Sequence, residues 1–194
     1  MKRLSLLLLL CVATSFVNCR QSTKSTTPKP DEGSFVKNTY RNDLFGFSYT
    51  LPEEWHKSRV VPATLPPGAY YLFIGDRDTG HSLLDRVMVI ADPKSKNRPG
   101  ISTVEYLSAF IHAQEVHGNA ELIGVMSSFT SGGTDFYRAD YKRPENGTTV
   151  YSSMVCTERN DYWLSWNFVT PSQQDLGDAV NTIQHISFDR TSAR

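Results

Sequence analysis

The chain has 194 residues, with twenty basic and twenty acidic side chains and a formal charge of zero. That balance excludes the basic excess of a nucleic-acid binder and the acidic block of a cation store. The length favours one domain, and about 150 residues can bury a real core.

Lys2 and Arg3 precede an apolar run from Leu4 to Val17, interrupted by Ser5, Thr14 and Ser15. A run of that length is too short to span a bilayer comfortably, and its flanks fit a secretory signal peptide over 1–19. Without those nineteen residues, eighteen basic and twenty acidic side chains leave a net charge of −2. Cys11 would depart with the run. Cys19 stands at its end, before the polar stretch from Arg20 to Pro30, an arrangement that resembles a bacterial lipoprotein with an acylated first cysteine. Asn18 occupies the position where that family carries a small residue, so simple cleavage near Ser15 stays open beside lipidation at Cys19. If Cys19 is acylated, Cys156 has no disulfide partner, and an exported domain must rely on its core.

Residues 20–39 hold Ser, Thr, Lys and Pro and read as a flexible tether. The domain is expected over 40–189, with a frayed tail at 190–194. Phe45, Phe47, Tyr49 and Leu51 alternate with Gly46, Ser48 and Thr50, so a strand presents one apolar face to a core. Pro52 stops it, and Trp55 falls in a turn. Arg59 to Val61 suggests a short extended piece, and Leu65-Pro66-Pro67-Gly68 a loop. Ala69 to Ile74 is a continuous apolar strand bounded by Gly75, with a turn from Gly75 to Ser82. Leu83 to Ala91 follows, Val87 and Val89 on one face and Met88 and Ile90 on the other, which calls for layers on both sides of a sheet.

Asp92 to Gly100 reads as a loop carrying Lys94, Lys96 and Arg98, which could touch anionic headgroups near an anchoring membrane. Ser102-Thr103-Val104-Glu105 is a capping box, opening a helix over 103–117. Its stripe is Val104, Leu107, Phe110 and Ile111, and Gly118 fits the position after its end. A meander comes next: 122–129, a turn at Ser131-Gly132-Gly133, 136–142, the hairpin pair Asn146-Gly147, 150–157 and 161–169. Tyr137, Ala139 and Tyr141 share one face of their strand, and Tyr162, Leu164, Trp166 and Phe168 share one of theirs, opposite Trp163. Ser172 with Asp175 starts a second helix with Leu176, Ala179, Val180 and Ile183 as its stripe. The fold class is therefore α+β, an antiparallel sheet flanked by helices.

Phe45-Gly46-Phe47 with Pro52 and Trp55, then the 85–93 strand, the helix opening Ser102 to Tyr106, a meander and a terminal helix resemble the PsbP-like superfamily, which includes DcrB-type envelope lipoproteins. The resemblance covers roughly 40–189. It implies an α/β/α sandwich, an accessory or partner-binding role, and no common catalytic set.

The residues offer no catalytic, cofactor-binding or metal-binding set. Asp76-Arg77-Asp78-Thr79-Gly80-His81 begins faintly like a calcium loop, but glycine is at the fifth position, and valine at the twelfth replaces the glutamate. A solvated hairpin turn explains it better. His112 and His117 lie five apart and do not share a helix face. No Gly-x-Ser-x-Gly elbow or phosphate-cradling glycine loop is present, and Cys156 sits mid-strand as a small buried hydrophobe. The expectation is an exported, lipid-anchored, non-catalytic accessory protein that binds another envelope protein and no nucleic acid. The alternative is a carrier of a small ligand or lipid, using a cleft beside the sheet. A hydrolase has no residues to carry it.

Overall fold

A computed structural model describes residues 29–60, 65–78, 85–94 and 100–189. The expected signal peptide over 1–19, Cys19 and the expected tail at 190–194 lie outside the described residues. Strands β1 (Ser34–Val36), β2 (Thr39–Asn42) and β3 (Phe47–Thr50) come first, followed by β4 (Trp55–Lys57), β5 (Tyr70–Arg77) and β6 (Asp85–Pro93). Helix α1 (Thr103–Gly118) leads to β7 (Glu121–Ser131), β8 (Thr134–Glu145), β9 (Thr148–Arg159) and β10 (Tyr162–Thr170). Helix α2 (Gln173–Asn181), a 3-10 turn (Thr182–His185) and β11 (Ile186–Phe188) close the chain.

The chain is α+β, and its strands form two antiparallel sheets where the sequence suggested one. The large sheet runs β4-β5-β6-β10-β9-β8-β7, and the small one β1-β2-β3-β11. Local chemistry explains the large sheet. Gly132-Gly133, Asn146-Gly147 and Asn160-Asp161 all take positive φ at both positions, between 48° and 78°. Two-residue turns of that hand match the twist of the strands they join, so β7 to β10 fold as consecutive hairpins. Helix α1 carries the chain from β6 to the far edge at β7, and the meander then returns until β10 pairs with β6.

The predicted alternation sets the two faces. Val87, Val89, Leu164, Trp166 and Phe168 pack in one core with Phe47 and Tyr49 of the small sheet and Leu176 and Val180 of α2. Trp163, Met154, Cys156 and Tyr141 pack in a second core with Tyr106, Leu107 and Ile111 of α1. The small sheet packs on the large one where Phe47 meets Trp166 edge to face at 5.7 Å, and within the large sheet Phe136 meets the same ring at 5.8 Å.

Several expectations are corrected. The proposed tether ends earlier than residue 39, because β1 pairs with β2 and Phe35 packs edge-on against Phe73 at 5.5 Å. Asn42 also donates from Nδ2 to the Pro30 carbonyl. Isolated serines and threonines masked a hairpin held mainly by the Phe35 and Tyr40 rings. Trp55 opens a strand and does not sit in a turn. Strand β5 runs through Gly75, where a Cβ would lie 2.9 Å from Leu51 and 3.1 Å from Val87, so the glycine serves close packing and not a turn. Strand β6 likewise extends through Asp92 and Pro93.

Helix α1 has the full capping box: Glu105 N–H donates to Ser102 Oγ, and Ser102 N–H donates to Glu105 Oε2 at 2.7 Å. Those bonds hold the Glu105 carboxyl below its usual range. The helix includes Gly118, and the left-handed cap is Asn119. Val104 is 40% exposed and leaves the buried stripe to Thr103, Tyr106, Leu107 and Ile111.

Candidate functional site

Asp76 and Arg77 are not a solvated turn. They end β5 directly opposite Arg86 and Asp85 of β6. Arg86 donates from Nε to Asp76 at 2.7 Å, and Arg77 donates from Nε to Asp85 at 2.7 Å. Asp85 is fully buried, and Arg77 also reaches Asp175 at 3.5 Å and lies over the Trp55 ring. This crossed pair of ion pairs fixes the register of β5 on β6 and ties it to α2. Thr79 to His81 fall outside the described residues. Among the described residues no three His, Cys, Asp or Glu side chains are grouped to hold a metal ion.

His112 and His117 are both exposed, and His112 faces Glu115 at 3.9 Å. Lys94 is not a free cation: it pairs with Glu158 and lies 5.8 Å over the Trp163 ring. Lys96 and Arg98 lie outside the described residues.

Cys156 is buried between β8 and β10, and desolvation pushes its thiol from the ordinary 9.0 up to about 12. A thiol that stays protonated is a poor nucleophile. We expect iodoacetamide to leave native Cys156 unmodified at about pH 8 and to label it on unfolding. Because the folded pKa is raised, the contribution of this group to stability is full below the unfolded value and is lost as pH rises toward 12. Alkaline denaturation that is unchanged in Cys156→Ala would contradict this part of the account.

A cleft of about 400 Å³ lies beside the large sheet, under α1. Its origin is local. Tyr106 stacks flat on Trp163 at 4.3 Å, filling the space between helix and sheet. One strand repeat further along β10 the same face changes to Ser165 and Asn167, and along α1 to Ala109 and Ala113. Tyr106, Ala109, Phe110 and Ala113 stand at i, i+3, i+4 and i+7, so all four line one wall. Small side chains on both elements leave the gap unfilled. The floor is polar: Asn167, 7% exposed, donates from Nδ2 to Ser165 Oγ at 3.0 Å and to the Met88 carbonyl at 3.4 Å. Its Oδ1 is shielded and has no hydrogen-bond partner among the described residues. Leu65 and Pro66 form the opposite lip.

A second surface lies at the other end of the sheet. Among the described residues strand β7 pairs only with β8, which leaves its outer edge open. The ladder is irregular between Ile123 and Ser127, where Gly124 has φ 70°, and Val125 there is 83% exposed. Beyond it, Ser127 to Ser131 border a groove of about 440 Å³ whose far side is Val180, Ile183 and Gln184 at the end of α2. Arg138 in that groove is held by two 2.7 Å bonds to Asp140. Sequence reasoning found the strand but not the groove, which needs the packing of α2 to exist.

No family model matches the chain, and no curated protein matches it. Among solved structures it is similar to cyanobacterial PsbP from Synechocystis sp. PCC 6803, at 16% identity and a TM-score of 0.50, over 81% of this chain and 99% of that one. It is also similar to LpqN, involved in cell envelope biogenesis of Mycobacterium tuberculosis, at 15% identity and a TM-score of 0.49, over 73% and 82% of the two chains. No helix among the described residues is long and apolar enough to cross a membrane. The element order, the two antiparallel sheets and the similarity to PsbP agree: this chain has the PsbP-like fold.

Proposed function

We propose that the protein is an exported, non-catalytic accessory factor, tethered to a membrane through a lipid on Cys19, that takes up an extended segment of another envelope protein along β7. The single observation that carries this reading is the edge from Ser127 to Ser131, unpaired among the described residues, with a groove beside it. An added strand would satisfy the edge amides and carbonyls, and alternate side chains would enter the groove. The irregularity between Ile123 and Ser127 separates that stretch from the regular pairing at Glu121 to Ile123. With Arg138 already paired to Asp140, the groove suits small or uncharged side chains.

Proline substitution at each position from Ser127 to Ser131, followed by affinity capture from the envelope fraction, tests it. Positions whose N–H points outward should keep the fold and lose capture, alternating with positions whose N–H bonds β8, which should destabilise the protein. Capture that survives every folded proline variant would sink the docking site. Cys19→Ser should move the protein from the membrane to the soluble fraction, and a variant that stays membrane-bound rejects the tether.

The cleft under α1 favours the second reading, a carrier, because it lies beside the sheet and is lined mainly by apolar side chains.

A further inference from the structure

We infer that, when no partner is docked, the open edge of β7 is closed by β7 of a second copy of this chain, so that self-pairing guards the docking site. The self-pairing stands on the edge alone, and its guarding role rests on the docking reading.

Hydrogen-bond direction comes first. Ser131 and Thr134 flank the two-residue Gly132-Gly133 turn, so they exchange backbone bonds, as do Phe129 with Phe136 and Ser127 with Arg138 at alternate positions. The N–H and C=O groups of Ser128 and Thr130 therefore point away from β8, and both residues are exposed. The segment also reads alike in both directions. Ser127-Ser128-Phe129-Thr130-Ser131 sets two hydroxyl residues on each side of one phenylalanine and carries no charge. Antiparallel pairing about Phe129 puts Ser128 of each copy opposite Thr130 of the other, and each such pair exchanges two backbone bonds. Phe129 then meets Phe129 across the two-fold axis and Ser127 meets Ser131, with no like charges opposed.

The ends match as well. Regular pairing stops at the irregularity before Ser127 on one side and at the Gly132-Gly133 turn on the other. The same two-fold lays the exposed Val125 and Met126 of one copy beside the glycine turn of the other, where Gly133 has open space in place of a Cβ. Edges that avoid such pairing carry lysine, proline or an inward-pointing charge, and Ser127 to Ser131 has none of these. So short a contact belongs to the transient class of interfaces, which lets a tighter-binding partner displace the second copy.

The test uses the mature chain with Cys19→Ser, so that no lipid holds it to a membrane. Sedimentation should show monomer and dimer in a ratio that changes with concentration. Thr130→Pro removes an outward N–H and should leave monomer alone. The double variant Ser127→Cys, Ser131→Cys should link into a dimer with oxidised glutathione, because those positions face each other at about 4.5 Å between Cα atoms, within disulfide reach. Ser128→Cys should not link, since its two copies stand diagonally at about 7–8 Å. Cys156 is buried and does not compete. The cysteine variants sit at exposed or half-buried positions and carry the test if the proline variant does not fold. The linked dimer should lose capture of the envelope partner and regain it on reduction. A chain that is monomeric at every concentration, linking through Ser128→Cys as complete as through the double variant, or a linked dimer that still captures the partner overturns the inference. A monomeric chain with proline-sensitive capture leaves the docking reading standing. A dimer in a protein that captures no partner overturns the docking reading, and the guarding role with it.

Discussion

Trp166→Ala is expected to destabilise the domain by about 3–5 kcal/mol, the range for removing a fully buried indole. Trp166 has no exposed surface and sits opposite Val89 and Val155 at the centre of the large sheet. Its ring also takes an edge-to-face contact from Phe136 of the same sheet and one from Phe47 of the small sheet, and the second is where the two sheets meet. Total stabilities of domains this size are about 5–15 kcal/mol, so this one change should leave the protein close to unfolding. Its indole N–H is buried without a partner among the described residues, and Trp166→Phe should therefore cost much less than the alanine change. Urea denaturation with an unchanged slope gives both numbers. A loss below about 1 kcal/mol for the alanine variant would mean that the small sheet does not depend on this contact.

Arg77→Met is the second large effect, at about 3 kcal/mol. The substitution keeps much of the side chain that covers Trp55 but removes the guanidinium from Asp85, a carboxylate with no exposed surface. Breaking one partner of a buried pair is costly because the remaining charge keeps its desolvation penalty. Replacing both groups is a different matter. The double variant Arg77→Met, Asp85→Leu should recover most of the loss, since an apolar pair needs no counter-charge. If the double variant is as unstable as the single one, the ion pair is not the source of the effect. Arg41 with Asp43 makes a useful contrast, because both side chains are more than half exposed and their pairing is expected to matter little.

Where a periodic signal was strong, the fold could be read from residues alone. The alternation in β8 and β10 placed Tyr137, Tyr141, Trp163 and Trp166 on the correct faces, because a pleated strand leaves no choice once one face is apolar. The capping box at Ser102 and the Asn146-Gly147 turn were legible for the same reason: their chemistry is local. The second sheet was not, since β1, β2 and β11 are three or four residues long and gain their stability from pairing with distant segments. Asp76 and Arg77 were misread because charge looks solvated in a sequence until the partners across the ladder, Arg86 and Asp85, are placed. Neither the cleft nor the groove is written in any one segment. The cleft depends on Ala109 and Ala113 of α1 facing Ser165 and Asn167 of β10, an agreement between elements about fifty residues apart.

The proposed docking of a partner along β7 is the step on which the function depends. Its most direct test is photo-cross-linking in intact cells, with the reactive side chain placed in turn at Ser128 on the edge and at Val116, an exposed apolar position on α1. The account expects one dominant protein adduct from Ser128 and none from Val116. Equal adducts from both positions, or none from Ser128, would contradict it.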